Sequence, residues 1–175
     1  MKFRLCFISE RGIGMLNMTV VAVGKLNAAY FRQAAAEYEK RLGAFCRIRV
    51  VELAECPVAE KNASPAQIEK ALEKEGAAIL SAVPKNAALV ALCVEGSQLS
   101  SEKLAQKLSS WAVSGISDAA FAIGSSHGLS PQVKQAAVLR LSMSEMTFPH
   151  QLARVMLLEQ LYRACCIEAG RPYHK

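Results

Sequence analysis

Five short apolar runs, each set off by turn residues and separated by stretches of helical spacing, constrain this chain more than any other feature. Met18 to Val23 is apolar and β-branched and is ended by Gly24, the pattern of a buried strand. Arg47 to Leu53 alternates charged and apolar side chains and reads as a half-exposed strand near an edge. Ala87 to Val94, Asp118 to Ile123 and Val138 to Met143 complete the set. Between them, Phe31, Ala34, Ala35, Tyr38 and Leu42 recur at helical spacing, with Gly43 as a stop. Ser64-Pro65-Ala66-Gln67 opens a second helix: serine at the N-cap, proline at the first helical position, glutamine at the third. A third helix starts at Ser100 or Ser101, and a short one near Pro131. The last begins near Pro149 and stops at Gly170, ahead of Pro172. Continuous apolar strands alternating with helices predict an α/β fold, a mainly parallel sheet with helices on both faces.

A chain of 175 residues suits one domain with a substantial core. Residues 1–17 stand outside the alternation and read as an N-terminal extension, either a strand-like arm or residues upstream of a start at Met18. The domain is expected over 18–175. At 52% hydrophobic and 21% charged, the composition excludes wholesale disorder. No apolar run approaches the roughly 20 residues of a membrane span, so no membrane association is expected. The six cysteines show no C-x-x-C spacing, which argues against a metal site and for reduced, mostly buried thiols in a cytoplasmic protein. The net charge of +6 permits a polyanionic partner such as RNA without requiring one.

The chemistry-bearing residues concentrate in the last third. Phe121-Ala122-Ile123-Gly124-Ser125-Ser126-His127-Gly128 and Leu141-Ser142-Met143-Ser144-Glu145-Met146-Thr147-Phe148-Pro149-His150 each run from a strand into a loop. Loops at the C-terminal ends of parallel strands are where open α/β sheets hold ligands. The first strand is followed by Val23-Gly24-Lys25-Leu26, without the later glycines of a dinucleotide fingerprint. His150 is either a locally bonded first-turn residue or a proton-transfer group, and His127 a surface or substrate contact. Arg154, one turn after His150, is either a solvated helix arginine or a phosphate fork. Tyr173 and His174 are either a frayed tail or groups that order by stacking on a base.

Taken together, Val23-Gly24-Lys25, Glu37-Tyr38-Glu39-Lys40-Arg41-Leu42, Lys74-Glu75-Gly76, the Gly124 loop, Met146-Thr147-Phe148-Pro149-His150 with Arg154, and Tyr173-His174-Lys175 resemble the ribosomal RNA large subunit methyltransferase H family. The resemblance runs from Met18 to the C-terminus. It implies a SPOUT-class fold with a C-terminal trefoil knot, a homodimer, and S-adenosyl-L-methionine as methyl donor. It also implies methylation at N3 of a pseudouridine in 23S rRNA. The family's cofactor site maps onto Leu92, Gly124, and the run Ser144, Glu145, Met146, Thr147, Phe148 and Pro149. Arg154, Tyr173 and His174 fall on its RNA side as the expected catalytic group, with His174 and Glu95 as candidate proton acceptors. One departure stands out: the family's loop reads Gly-Gly, whereas Ser125 follows Gly124 here. If that second position needs positive φ, serine carries strain. A non-catalytic ribosome-binding factor would use the same basic surface, but it has no need of the paired cofactor loops.

Overall fold

The computed structural model describes residues 16–59 and 63–173. Ten elements alternate along the chain: β1 (Asn17–Val23), α1 (Ala29–Leu42), β2 (Arg47–Leu53), α2 (Pro65–Ala82), β3 (Ala88–Gln98), α3 (Ser101–Val113), β4 (Asp118–Ile123), α4 (Pro131–Ala136), β5 (Leu139–Ser142) and α5 (His150–Glu168). The strands form one sheet in the order β2-β1-β4-β3-β5, with every pairing parallel. Each expected element is present. β1 starts at Asn17, and Leu16 packs against the core, so the ordered domain takes in the end of the stretch read as an extension. Most of that extension, residues 1–15, lies outside the described residues.

Period-two alternation distributes each central strand between two cores. Met18, Val20 and Ala22 of β1 and Ala119, Phe121 and Ile123 of β4 face one layer, closed by α1, α3 and α5. Val21, Val23, Ala120 and Ala122 face the other, closed by α2 and α4. β1 and β4 are the central strands, which is why they carry no charged residue between their ends. β2 lies at an edge, with Arg47 and Arg49 exposed, and charges there discourage pairing with another chain. The capping box of α2 forms in full: Ser64 Oγ accepts from Gln67 N–H, and Gln67 Oε1 accepts from Ser64 N–H.

β3 runs four residues past its expected end at Val94. Leu92 and Ser97 both pair with Leu141, so Cys93 to Gly96 bulge out of the ladder before pairing resumes. The bulge brings Gly96 against the backbone of β5, where a Cβ would lie 2.7 Å from the carbonyl carbons of Arg140 and Leu141. An out-of-register pairing of this kind leaves no trace in hydrophobic spacing.

Candidate active site

Strand order places the three expected cofactor segments side by side. Ala91 of β3 pairs with Ala122 of β4, so Leu92 and Gly124 stand at neighbouring strand ends. Leu92 also pairs with Leu141 of β5, three residues before Ser144. Leu92 is half-buried and packs against the core.

Gly124 is buried, and the direction a side chain would take is already filled. A Cβ there would fall 2.0 Å from the Gly128 carbonyl oxygen and 2.9 Å from Leu129 N. The loop therefore folds tightly on itself around Gly124, closed by the Gly128 N–H donating to the Ser125 carbonyl at 2.9 Å. Positive φ falls at Gly128 (+85°) and not at Ser125, so the serine is unstrained. The condition for strain at Ser125 is therefore not met, and the side chain has a use. Its hydroxyl donates to Glu75 Oε2 at 2.8 Å, and Glu75 Oε1 accepts from Cys56 N–H at 2.8 Å. Glu75, on α2, is buried and ties the Gly124 loop to the segment after β2. Lys74-Glu75-Gly76 was recognisable as a motif, but nothing in its spacing signals that the carboxylate points inward.

The loop from Ser144 to Pro149 is held at its two ends, the far one by the Ala153 N–H donating to the Pro149 carbonyl at 2.9 Å. Ser142 Oγ donates to the Ser144 carbonyl at 2.8 Å, and Ser144 Oγ accepts from Met146 N–H at 3.0 Å. Among the described residues, the backbone amides of Glu145, Thr147 and Phe148 meet no hydrogen-bond partner. Met146 is an apolar side chain 65% exposed to solvent. Free backbone donors and acceptors beside an uncovered thioether fit an adenosine: the amides and carbonyls suit the purine edge and the methionine its face.

Arg154 is neither solvated nor open to the crevice. It is 5% exposed, with Nη2 donating to Glu52 Oε1 at 2.7 Å. Its Nε is buried without a hydrogen-bond partner among the described residues. Burial raises the pKa of the neighbouring Glu39 carboxyl, opposed by the Arg154 charge. The shared helix face with His150 is real, but it turns toward the end of β2.

Tyr173 is not frayed: it folds back onto the middle of α5. Its ring meets Tyr162 edge-on at 4.7 Å, Arg163 lies over it at 5.0 Å, and its hydroxyl reaches Glu159 at 3.4 Å. Burial, then a hydrogen bond with Tyr38, pushes its pKa up to about 12. His174 lies outside the described residues. Glu95 is bound to Lys134 at 2.5 Å, and that hydrogen bond holds its carboxyl below the ordinary value, which suits a fixed charge better than a proton acceptor. Beyond the ends of β2 and β4, Ser126 Oγ donates to Glu55 Oε1 at 3.4 Å and lies 3.3 Å from His127 Nδ1. Glu55 sits in the irregular stretch after β2, where the sequence offers no periodicity to place it.

Comparison with known proteins agrees with this architecture. A family profile described as a predicted SPOUT methyltransferase matches residues 16–174. The chain is 45% identical over 160 residues to the ribosomal RNA large subunit methyltransferase H of Ligilactobacillus salivarius and 47% identical to that of Bifidobacterium animalis subsp. lactis. Its counterpart in Leuconostoc mesenteroides is 44% identical. In each case the match spans 91% of this chain and 100% of the relative. Among solved structures, a probable methylase family protein from Haemophilus influenzae shares the fold, with a TM-score of 0.50 at 12% identity over 91% of this chain and 71% of the other. The chain therefore belongs to the ribosomal RNA large subunit methyltransferase H family of SPOUT methyltransferases, enzymes that take their methyl group from S-adenosyl-L-methionine.

Proposed function

We propose that this enzyme methylates N3 of a pseudouridine in the 23S rRNA of the large ribosomal subunit, working in the cytoplasm. The observation that carries the reading is the end-to-end match to three relatives named for that subunit's RNA, at 44–47% identity with no part of the relatives left over. The net charge of +6 suits an RNA partner.

Leu92, Gly124 and the run from Ser144 to Pro149 hold S-adenosyl-L-methionine in this reading, in a crevice that the family's trefoil knot would shape. When bound, the cofactor's sulfonium supplies an electrophilic methyl carbon, so the protein's task is positioning the base and managing the N3 proton. The Gly124 loop, braced through Ser125 and Glu75, fixes one wall. The free amides of Glu145, Thr147 and Phe148 orient the purine. Arg154, held by Glu52, keeps the start of α5 in place on the RNA side.

Tyr173 and His174 are proposed to cover the target base, and the geometry favours a homodimer for this. Tyr173 packs beside Glu159, nine residues and so about 14 Å along α5 from His150. A tail placed there reaches the crevice of a second copy more readily than its own. Leu152, Val155, Met156 and Tyr162 are only half-buried along α5 and suit such an interface, whereas Leu158 is fully buried in the chain's own core.

The test is transfer of labelled methyl from S-adenosyl-L-methionine to ribosomes whose 23S rRNA lacks the modification. Label in 23S rRNA at a pseudouridine is expected. Binding to ribosomes without transfer supports a non-catalytic factor instead.

A further inference from the structure

Polar groups that the cofactor crevice does not use gather in front of Gly24. Gly24 ends β1 with φ of +86°, its N–H donating to the Leu53 carbonyl at 2.9 Å. A Cβ placed on it would lie 3.2 Å from His150 Nε2 and 3.7 Å from Glu55 Oε2. An imidazole and a carboxylate thus converge on the face of Gly24, where the glycine places no side chain between them. Glu55 is steadied from behind, its other oxygen accepting from Ser126 Oγ. The His150 imidazole has no hydrogen bond among the described residues, and neither does Glu55 Oε2. Ser126 lies two residues after Gly124, so these groups adjoin the cofactor crevice.

A hydrogen-bond acceptor beside a donor is the complement of one edge of pseudouridine. That base is joined to its ribose through carbon, so ring N1 keeps its hydrogen. N1–H stands next to the C2 carbonyl, and N3 lies on the carbonyl's far side. Uridine carries its ribose on N1 and presents no donor there.

We propose that Glu55 accepts the N1–H of the target pseudouridine and His150 Nε2–H donates to its C2 carbonyl, leaving N3 open toward the methyl group. Glu55 is thereby the residue that selects pseudouridine over uridine. The proposal rests on the methyl-transfer reading above. A site built to bind an N–H penalises the analogue that lacks it, because its acceptor is left facing nothing. At an exposed carboxylate, the preference owed to this contact is about 10- to 100-fold.

The experiment compares methyl transfer to large-subunit RNA carrying pseudouridine or uridine at the target, for the parent and Glu55→Ala. The expected result is a 10- to 100-fold fall in kcat/KM on pseudouridine RNA and little change on uridine RNA. Cofactor affinity and the thermal midpoint should stay at the parent's values. An unchanged preference, an equal loss on both RNAs, or a drop in cofactor affinity or thermal midpoint overturns the assignment of Glu55. A parent inactive on both RNAs overturns the methyltransferase reading itself, and that outcome is distinct from the others.

Discussion

Replacing Ser125 by alanine or glycine separates two physical accounts of the Gly124 loop by the sign of the effect. If Ser125 were held at positive φ, glycine would relieve strain and raise stability. The structure instead gives Ser125 a negative φ and a hydroxyl bonded to a buried carboxylate. Ser125→Ala removes one of the two hydrogen bonds described for Glu75 and leaves Oε2 without a donor inside the protein. A hydrogen bond to a charged group contributes about 1.5–3 kcal/mol, and alanine adds no steric strain of its own. For a chain of this length each kcal/mol moves Tm by about 2–4 °C, so the alanine variant should melt about 3–12 °C lower. Ser125→Gly loses the same bond and adds about 0.4–1 kcal/mol of unfolded-chain freedom, so it should melt lower still. Calorimetry at fixed protein and cofactor concentration reads both, since association and ligand shift Tm by mass action. A glycine variant more stable than the parent, or an alanine variant melting within a degree of it, refutes the reasoning.

Gly124→Ala should destabilise the loop and weaken cofactor binding together, because its Cβ would meet backbone at 2.0 Å and not a yielding side chain; calorimetric affinity and Tm that both match the parent would contradict this. Arg154→Ala leaves Glu52 and Glu39 without their cation and should cost about 1–3 kcal/mol, less than a fully buried pair because Glu52 is 37% exposed, as read by urea unfolding. Tyr173 favours its neutral form in the folded protein, so its contribution to stability is complete below pH 10 and is lost as pH rises toward 12. Spectroscopic titration should show a tyrosine ionising near pH 12 that is absent in Tyr173→Phe. Removing His174 and Lys175 should leave Tm unchanged while methyl transfer falls at least 100-fold, whereas a cut after Pro172 also removes the Tyr173 packing and lowers Tm.

The layered fold was legible because its strands are largely apolar runs and three of its helices start at a capping serine, Ser64, Ser100 and Ser130. Ser64-Pro65-Ala66-Gln67 states a helix start in four letters, and both of its hydrogen bonds form. What spacing alone does not carry is contact between distant segments. Leu141 pairs with two residues of β3, Glu75 reaches across to Ser125, and Arg154 turns inward to Glu52, each decided by tertiary packing. That the loops after β3, β4 and β5 stand side by side was readable because strand ends in a parallel sheet converge by topology. The groups that brace them were not, since a glutamate on a helix carries the same letter whether it faces water or the core. The convergence of Glu55 and His150 on Gly24 joins residues from three parts of the chain, and only the folded structure brings them to one point.

The central claim is tested most directly by mass spectrometry of 23S rRNA from cells with and without this protein. The account predicts that one pseudouridine carries an N3 methyl group when the protein is present, loses it when the gene is deleted, and regains it on complementation. An unchanged methylation pattern in the deletion strain contradicts it.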